Sequence, residues 1–132
     1  MHWAAGMPDQ TDLQKRVRDF ALASLTFYRR LPKTTEAEVP GRQLYRSANS
    51  VRSNYRAAKR GRSRAEFISK LGVVVEECDE VVDWLEFMRE GNIARAPKLL
   101  GEAEELRNIF ARSVATARKN ARRKRDGAPT DR

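Results

Sequence analysis

Between Ser63 and Glu90 the apolar residues Phe67, Leu71, Val74, Cys78, Val81, Leu85 and Met88 recur in alternating steps of four and three. Those steps return each side chain to one face of an α-helix, the seam by which nearly antiparallel helices pack. Ile68, Val75 and Val82 widen the stripe on one side. Such a face must be covered, and the same rhythm recurs elsewhere. Leu13, Val17, Phe20, Ser24, Phe27 and Leu31 form a first seam, which Pro32 ends because proline cannot donate to the helix ladder. Leu44, Ala48, Val51, Tyr55 and Ala58 form a second. Leu99, Ala103, Leu106, Phe110 and Ala117, with Leu100, Ile109 and Val114 alongside, form the last.

Helix ends follow from capping and breaker residues. Thr11 and Gln14 stand at capping-box spacing, which starts the first helix near Thr11. KTTEAEVPG (33–41) reads as a connector punctuated by Pro40 and Gly41, with a second helix over 41–60. The short turn at Gly61 sends the third helix back antiparallel. Ser63 and Glu66 cap that helix and Gly91 stops it, for a length of about 40 Å. Pro97 suits the first turn of the fourth, with Glu102, Glu104 and Glu105 near its positive end and arginines collecting at the other. The predicted fold is all-α, an antiparallel up-down-up-down four-helix bundle over residues 11–120. A leader (1–10) precedes it and a basic, disordered tail (121–132) follows.

The 132 residues suffice for one core, and 40% hydrophobic with 34% charged residues suits a bundle with charged outer faces. No apolar run approaches the roughly 20 residues that span a bilayer, so no membrane partner is expected and the cytosol is the expected location. The single cysteine, Cys78, lies on the seam and reads as a small buried hydrophobe in a reducing compartment. A net charge of +9 and a pI near 10.3 favour contact with polyanions.

RQLYRSANSVRSNYRAAKRGRSRAEFISKLGVVVEECDEVVDWLEF (42–87) resembles the 23S rRNA intervening-sequence protein family of bacteria. The resemblance rests on Arg46-Ser47-Ala48-x-Ser50-Val51-x-x-Asn54-Tyr55, then Ser63-x-x-Glu66-Phe67, then Glu77-x-x-Glu80-x-x-x-Trp84-Leu85. A looser likeness extends over roughly residues 12–118. It implies a left-handed four-helix bundle, a ring-like homopentamer, and neither enzymatic activity nor a cofactor. A relative is the accessory variability protein of diversity-generating retroelements, a basic pentamer that binds a reverse transcriptase and nucleic acid. The partners implied are therefore further copies of the chain, RNA or DNA, and a nucleic-acid enzyme such as a reverse transcriptase.

Residues 41–62 carry Arg42, Arg46, Arg52, Arg56, Lys59, Arg60 and Arg62 and no acid. At about 100° per residue, Arg42, Arg46, Asn49, Ser53, Arg56 and Arg60 line the side away from the core. A phosphate backbone could lie along that stripe. Alternatively the arginines pair with the third helix, whose eight acids (Glu66, Glu76, Glu77, Asp79, Glu80, Asp83, Glu86, Glu90) face three basic residues (Arg64, Lys70, Arg89). The C-terminal run Arg118, Lys119, Arg122, Arg123, Lys124, Arg125 lacks an interleaved aromatic, so its binding would be backbone-directed; the alternative is a solubilising tail. On the third helix Val73, Glu77, Glu80, Trp84 and Phe87 flank the core, beside the small polar Ser47, Ser50 and Asn54 of the second. Large apolar side chains on a flank mark an interface, here one between subunits.

Glu76-Glu77-x-x-Glu80, followed by Glu102-x-x-Glu105, has carboxylate spacing seen in the magnesium-dependent all-α nucleoside triphosphate pyrophosphatases. Glu76, however, points about 100° from Glu77, and the second motif ends in Glu rather than Asp. The only histidine, His2, lies in the leader, which leaves no di-iron pattern, no Ser-His or Cys-His arrangement and no zinc set. The expected function is a non-catalytic, homo-oligomeric bundle contacting nucleic acid or a nucleoprotein partner. The rival is an assembly module whose charge serves only helix pairing and solubility.

Overall fold

A computed structural model describes Met7 and residues 9–127. Among these residues there are four helices and no strands: α1 (Gln10–Arg30), α2 (Thr35–Lys59), α3 (Arg64–Glu90) and α4 (Pro97–Arg125). Each seam named above turns inward. Phe67, Leu71, Val74, Cys78, Val81, Leu85 and Met88 are all buried, against Leu44, Val51 and Tyr55 of α2 and Leu106 and Phe110 of α4 in one core. Packing is most extensive between α2 and α3 and between α3 and α4, while α1 leans on α2 and only lightly on α4. Burial pushes the Cys78 thiol up to about 12, so it stays protonated.

The element ends depart from sequence expectation in instructive ways. Asp9, not Thr11, caps α1: its carboxylate accepts from the amides of Thr11 (2.8 Å) and Asp12 (3.3 Å). Pro32 does end that helix, but the connector is much shorter than 33–41. Thr34 caps α2 through Ala37 N–H (3.3 Å), and Pro40 and Gly41 lie inside the helix, both buried. The reason is packing. A Cβ at position 41 would run into Leu31 Cδ1 and meet Tyr28 Cδ1 at 3.3 Å, so glycine is what lets α1 close on α2. Ser63 caps α3 as expected, accepting from Glu66 N–H at 3.1 Å.

The C-terminus of α3 is a Schellman turn in which Asn92, not Gly91, takes the left-handed conformation (φ 56°). Ile93 N–H reaches Met88 O (2.8 Å) and Asn92 N–H reaches Arg89 O (3.1 Å). Gly91 itself has φ −81°. Pro97 opens α4, whose first turn carries no acid, so the glutamates of 102–105 act elsewhere. α4 continues through Arg125, past residue 120 where the tail was expected to start. Of the leader, Met7 packs on the core, and residues 1–6, 8 and 128–132 lie outside the described residues.

Candidate nucleic-acid interface

Helix α2 presents its cations in two directions. Toward α3, Arg46 donates to Glu80 (2.9 Å) and lies 3.6 Å from Glu77, an ion-pair distance too long for a hydrogen bond. The same guanidinium donates to Gln43 (3.3 Å) and to Ser47 Oγ (3.4 Å). Arg42 is likewise engaged: it donates to Glu38 (2.9 Å), which also accepts from Tyr28 O–H at 2.8 Å. The Tyr28 hydrogen bond first, and the Arg42 guanidinium second, hold the Glu38 carboxyl below its ordinary value. Half of the arginine stripe is thus committed inside the chain.

Toward α1, beyond the Arg42–Glu38–Tyr28 cluster, the arginines are left over. Arg52, Arg56 and Arg60 form no ion pair among the described residues, although all three are exposed. With Arg18 of α1 and Lys59 they rim a groove of ≈ 620 Å³ between α1 and α2. Its floor is apolar: Val17, Ala21, Leu22 and Leu25 from α1, Tyr45 and Tyr55 from α2. Leu22 is 51% exposed. Lys59 donates to Gln14 at 2.5 Å and sits 5.6 Å from the Tyr55 ring centre. A second cleft adjoins through the shared Arg56 and Arg60; Ser53, Arg62 and Lys70 also line it, and Glu66 is its one acid.

At the end of α4, Arg118, Lys119 and Arg122 are exposed and make no ion pair among the described residues, whereas Arg125 lies 3.6 Å from Asp126. Arg123 is half-buried. The other cations that bridge helices are spoken for. Arg16 grips Glu102 (2.7 Å) and Glu105 (3.1 Å), and Arg107 grips Asp79 (2.8 Å). The acid pairs Glu77/Glu80 and Glu102/Glu105 are each bridged by an arginine, and no cluster of three or more His, Cys, Asp or Glu arranged for a metal ion occurs among the described residues.

The sequence matches the 23S rRNA-intervening sequence protein family over residues 9–114. The chain belongs to that family. A crystal structure of a protein of unknown function from the S23 ribosomal protein family of Bacteroides thetaiotaomicron VPI-5482 is similar in fold: TM-score 0.73, 23% identity, covering 80% of this chain and 96% of that one. No curated protein matches.

The family motif falls largely on the α2–α3 contact. Ser47 is wholly buried there, inside the chain rather than on a surface a sister chain could reach. Asn54 donates to Ser50 O (2.9 Å) and Oγ (3.0 Å), so its amide is spent within α2. The Glu77 side chain is 14% exposed. Burial, then the charge of Glu80, push its carboxyl above the ordinary value, against the pull of Arg46 and of the Ser50 and Ser47 hydroxyls. Val73 and Trp84 are half-buried and Phe87 is 52% exposed, with the two rings edge-on at 5.9 Å. The Trp84 indole N–H is buried without an acceptor. Leu22, Leu25 and Arg18 escaped sequence reasoning, and Arg52 was counted among the cations of the second helix but left off its stripe. Their signal was present: Arg18, Leu22 and Leu25 follow helical spacing on the flank of the α1 seam.

Proposed function

We propose that this member of the intervening-sequence family is a non-catalytic, cytosolic, self-associating bundle that holds nucleic acid through the phosphate backbone. The observation that carries the reading is the cleft where Arg56, Arg60, Arg62 and Lys70 meet with Glu66 as the only acid. Cations left without internal partners attract phosphates and release counterions on contact. The exposed cations Arg118, Lys119 and Arg122 extend the footprint, and no exposed aromatic in the cleft offers a stacking platform. Binding is therefore weakly sequence-specific. The resemblance adds a left-handed bundle, a ring of five copies and a nucleic-acid enzyme such as a reverse transcriptase as protein partner. Up-down-up-down topology is supported by Lys59 meeting Gln14, Arg46 meeting Glu80 and Arg107 meeting Asp79 across successive connections.

Self-association is supported by the shoulder of the exposed Phe87 and the half-buried Trp84, whose buried indole donor has no acceptor. The rival, an assembly module without nucleic acid, draws support from Arg42 and Arg46, whose charge is already used within the chain. Titration of wild type with labelled single-stranded RNA and duplex DNA separates the two. Binding at low salt that weakens steeply as salt rises supports the proposal. Absence of binding at low salt leaves the rival.

A further inference from the structure

The exposed large hydrophobic side chains of the described residues are Leu22, Val39 and Phe87, and they are not scattered. Leu22 lies in the α1–α2 groove. The other two share a shoulder on the opposite flank of α2. Arg46 meets Glu80 across the turn at residues 60–63, so Val39, two turns before Arg46, comes level with Phe87, two turns beyond Glu80. The surroundings of the two surfaces differ in sign, because the cations near the shoulder, Arg42, Arg46 and Arg89, are paired with Glu38, Glu80 and Glu86. One turn either side of Phe87 stand the exposed acids Asp83 and Glu90, and Trp84 stacks edge-on against it. Around Leu22, Leu25 and Ala21 stand Arg18, Arg52 and Arg56, none of them ion-paired among the described residues. The groove, at ≈ 620 Å³, has the size of a cleft that buries bulky apolar groups.

We infer that the acidic, aromatic shoulder of one copy docks into the basic, apolar groove between α1 and α2 of the next. The inference rests on the self-association proposed above and specifies its partner surfaces. A nucleic acid is a poor occupant for this groove, because the exposed part of its floor is mainly aliphatic, Tyr55 is buried (1%) and the half-buried Tyr45 already has a face stacked on Tyr28. A helix face carrying Phe87 between carboxylates matches both the floor and the rim. Shoulder and groove are different surfaces on either side of α2, so the contact is heterologous. Copies add head to tail until the ring closes.

The test uses the full chain, light scattering and two variants altered only at exposed positions, with circular dichroism to confirm folding. Leu22→Glu with Arg52→Glu blocks the groove and leaves the shoulder intact. Val39→Ser with Phe87→Ser removes the shoulder and leaves the groove intact. Wild type is expected to assemble. Each variant alone is expected to be monomeric, with self-affinity weakened at least ~30-fold. An equimolar mixture of the two is expected to form a one-to-one heterodimer that grows no further, since only one productive contact remains. A groove variant that assembles like wild type while the shoulder variant does not would overturn the inference and leave self-association standing. Assembly of both variants also overturns it. A monomeric wild type sinks the underlying reading as well.

Discussion

The two flanks of α2 carry the same residue types to different ends. On the α3 flank the helices meet closely, Ser47 is buried, and Arg46 is held by Glu80, Glu77 and Gln43. On the α1 flank the helices close at Gly41 but part further along into a groove, where Arg52 and Arg56 form no ion pair among the described residues. An arginine whose charge is matched inside the chain stabilises the bundle and has little left for a partner. One that is unmatched costs little in the monomer because water solvates it, and it keeps its full attraction for an outside anion. Surplus charge alone therefore does not locate a binding surface; the acids each cation can reach decide.

The two flanks differ most where the core is opened. Leu71→Ala, at a wholly buried seam position of α3, is expected to cost about 2–5 kcal/mol. Leu22→Ala, in the open groove, is expected to change the stability of the isolated chain by less than about 0.5 kcal/mol. Urea unfolding of both measures the difference. Hydrogen exchange follows in size: amides of α1, which leans mainly on one neighbour, are expected to exchange faster than those of α3, which packs on two. Equal protection would mean that the groove flank is as tightly held as the other.

Arginine replacements sharpen the electrostatic half. Arg46→Ser removes the partner of a mostly buried Glu77 and is expected to cost on the order of 1 kcal/mol. Arg56→Ser is expected to fall within about 0.5 kcal/mol of wild type. The smallest effect concerns pH. The Glu77 carboxyl is raised in the folded chain, so between its unfolded and folded values the folded state binds the proton more tightly. Stability from this group is present below the unfolded value and is lost as pH rises through the folded one. Glu77→Gln should flatten that loss in the difference between its pH–stability curve and that of wild type. Glu38, whose carboxyl is lowered, contributes with the opposite sign, adding stability above its unfolded value and losing it as pH falls through the folded one.

The helices were legible in the sequence because an amphipathic seam repeats every three or four residues whatever surrounds it. The start of α2 was not. Pro40-Gly41 carries a turn signal locally, and only the approach of Tyr28 and Leu31 makes glycine a packing residue there. Asn92 likewise took the left-handed position beside a glycine that did not use it. The candidate site was half legible. Arg46 and Arg56 were read as one stripe, yet ten residues at about 100° each leave them some 80° apart, enough to point one at α3 and the other at α1. Which acid waits at the end of each side chain depends on the register of neighbouring helices, which a single helix's periodicity does not contain.

We propose that unpaired cations, not paired ones, hold the polyanion. Salt-dependent binding of duplex DNA to wild type, Arg60→Ser with Arg62→Ser, and Arg42→Ser with Arg46→Ser decides this. The first variant is expected to bind more weakly and to lower the slope of log affinity against log salt by roughly 1.8. The second variant is predicted to keep the wild-type slope. A full slope in the first variant, or an equal loss in both, would contradict it.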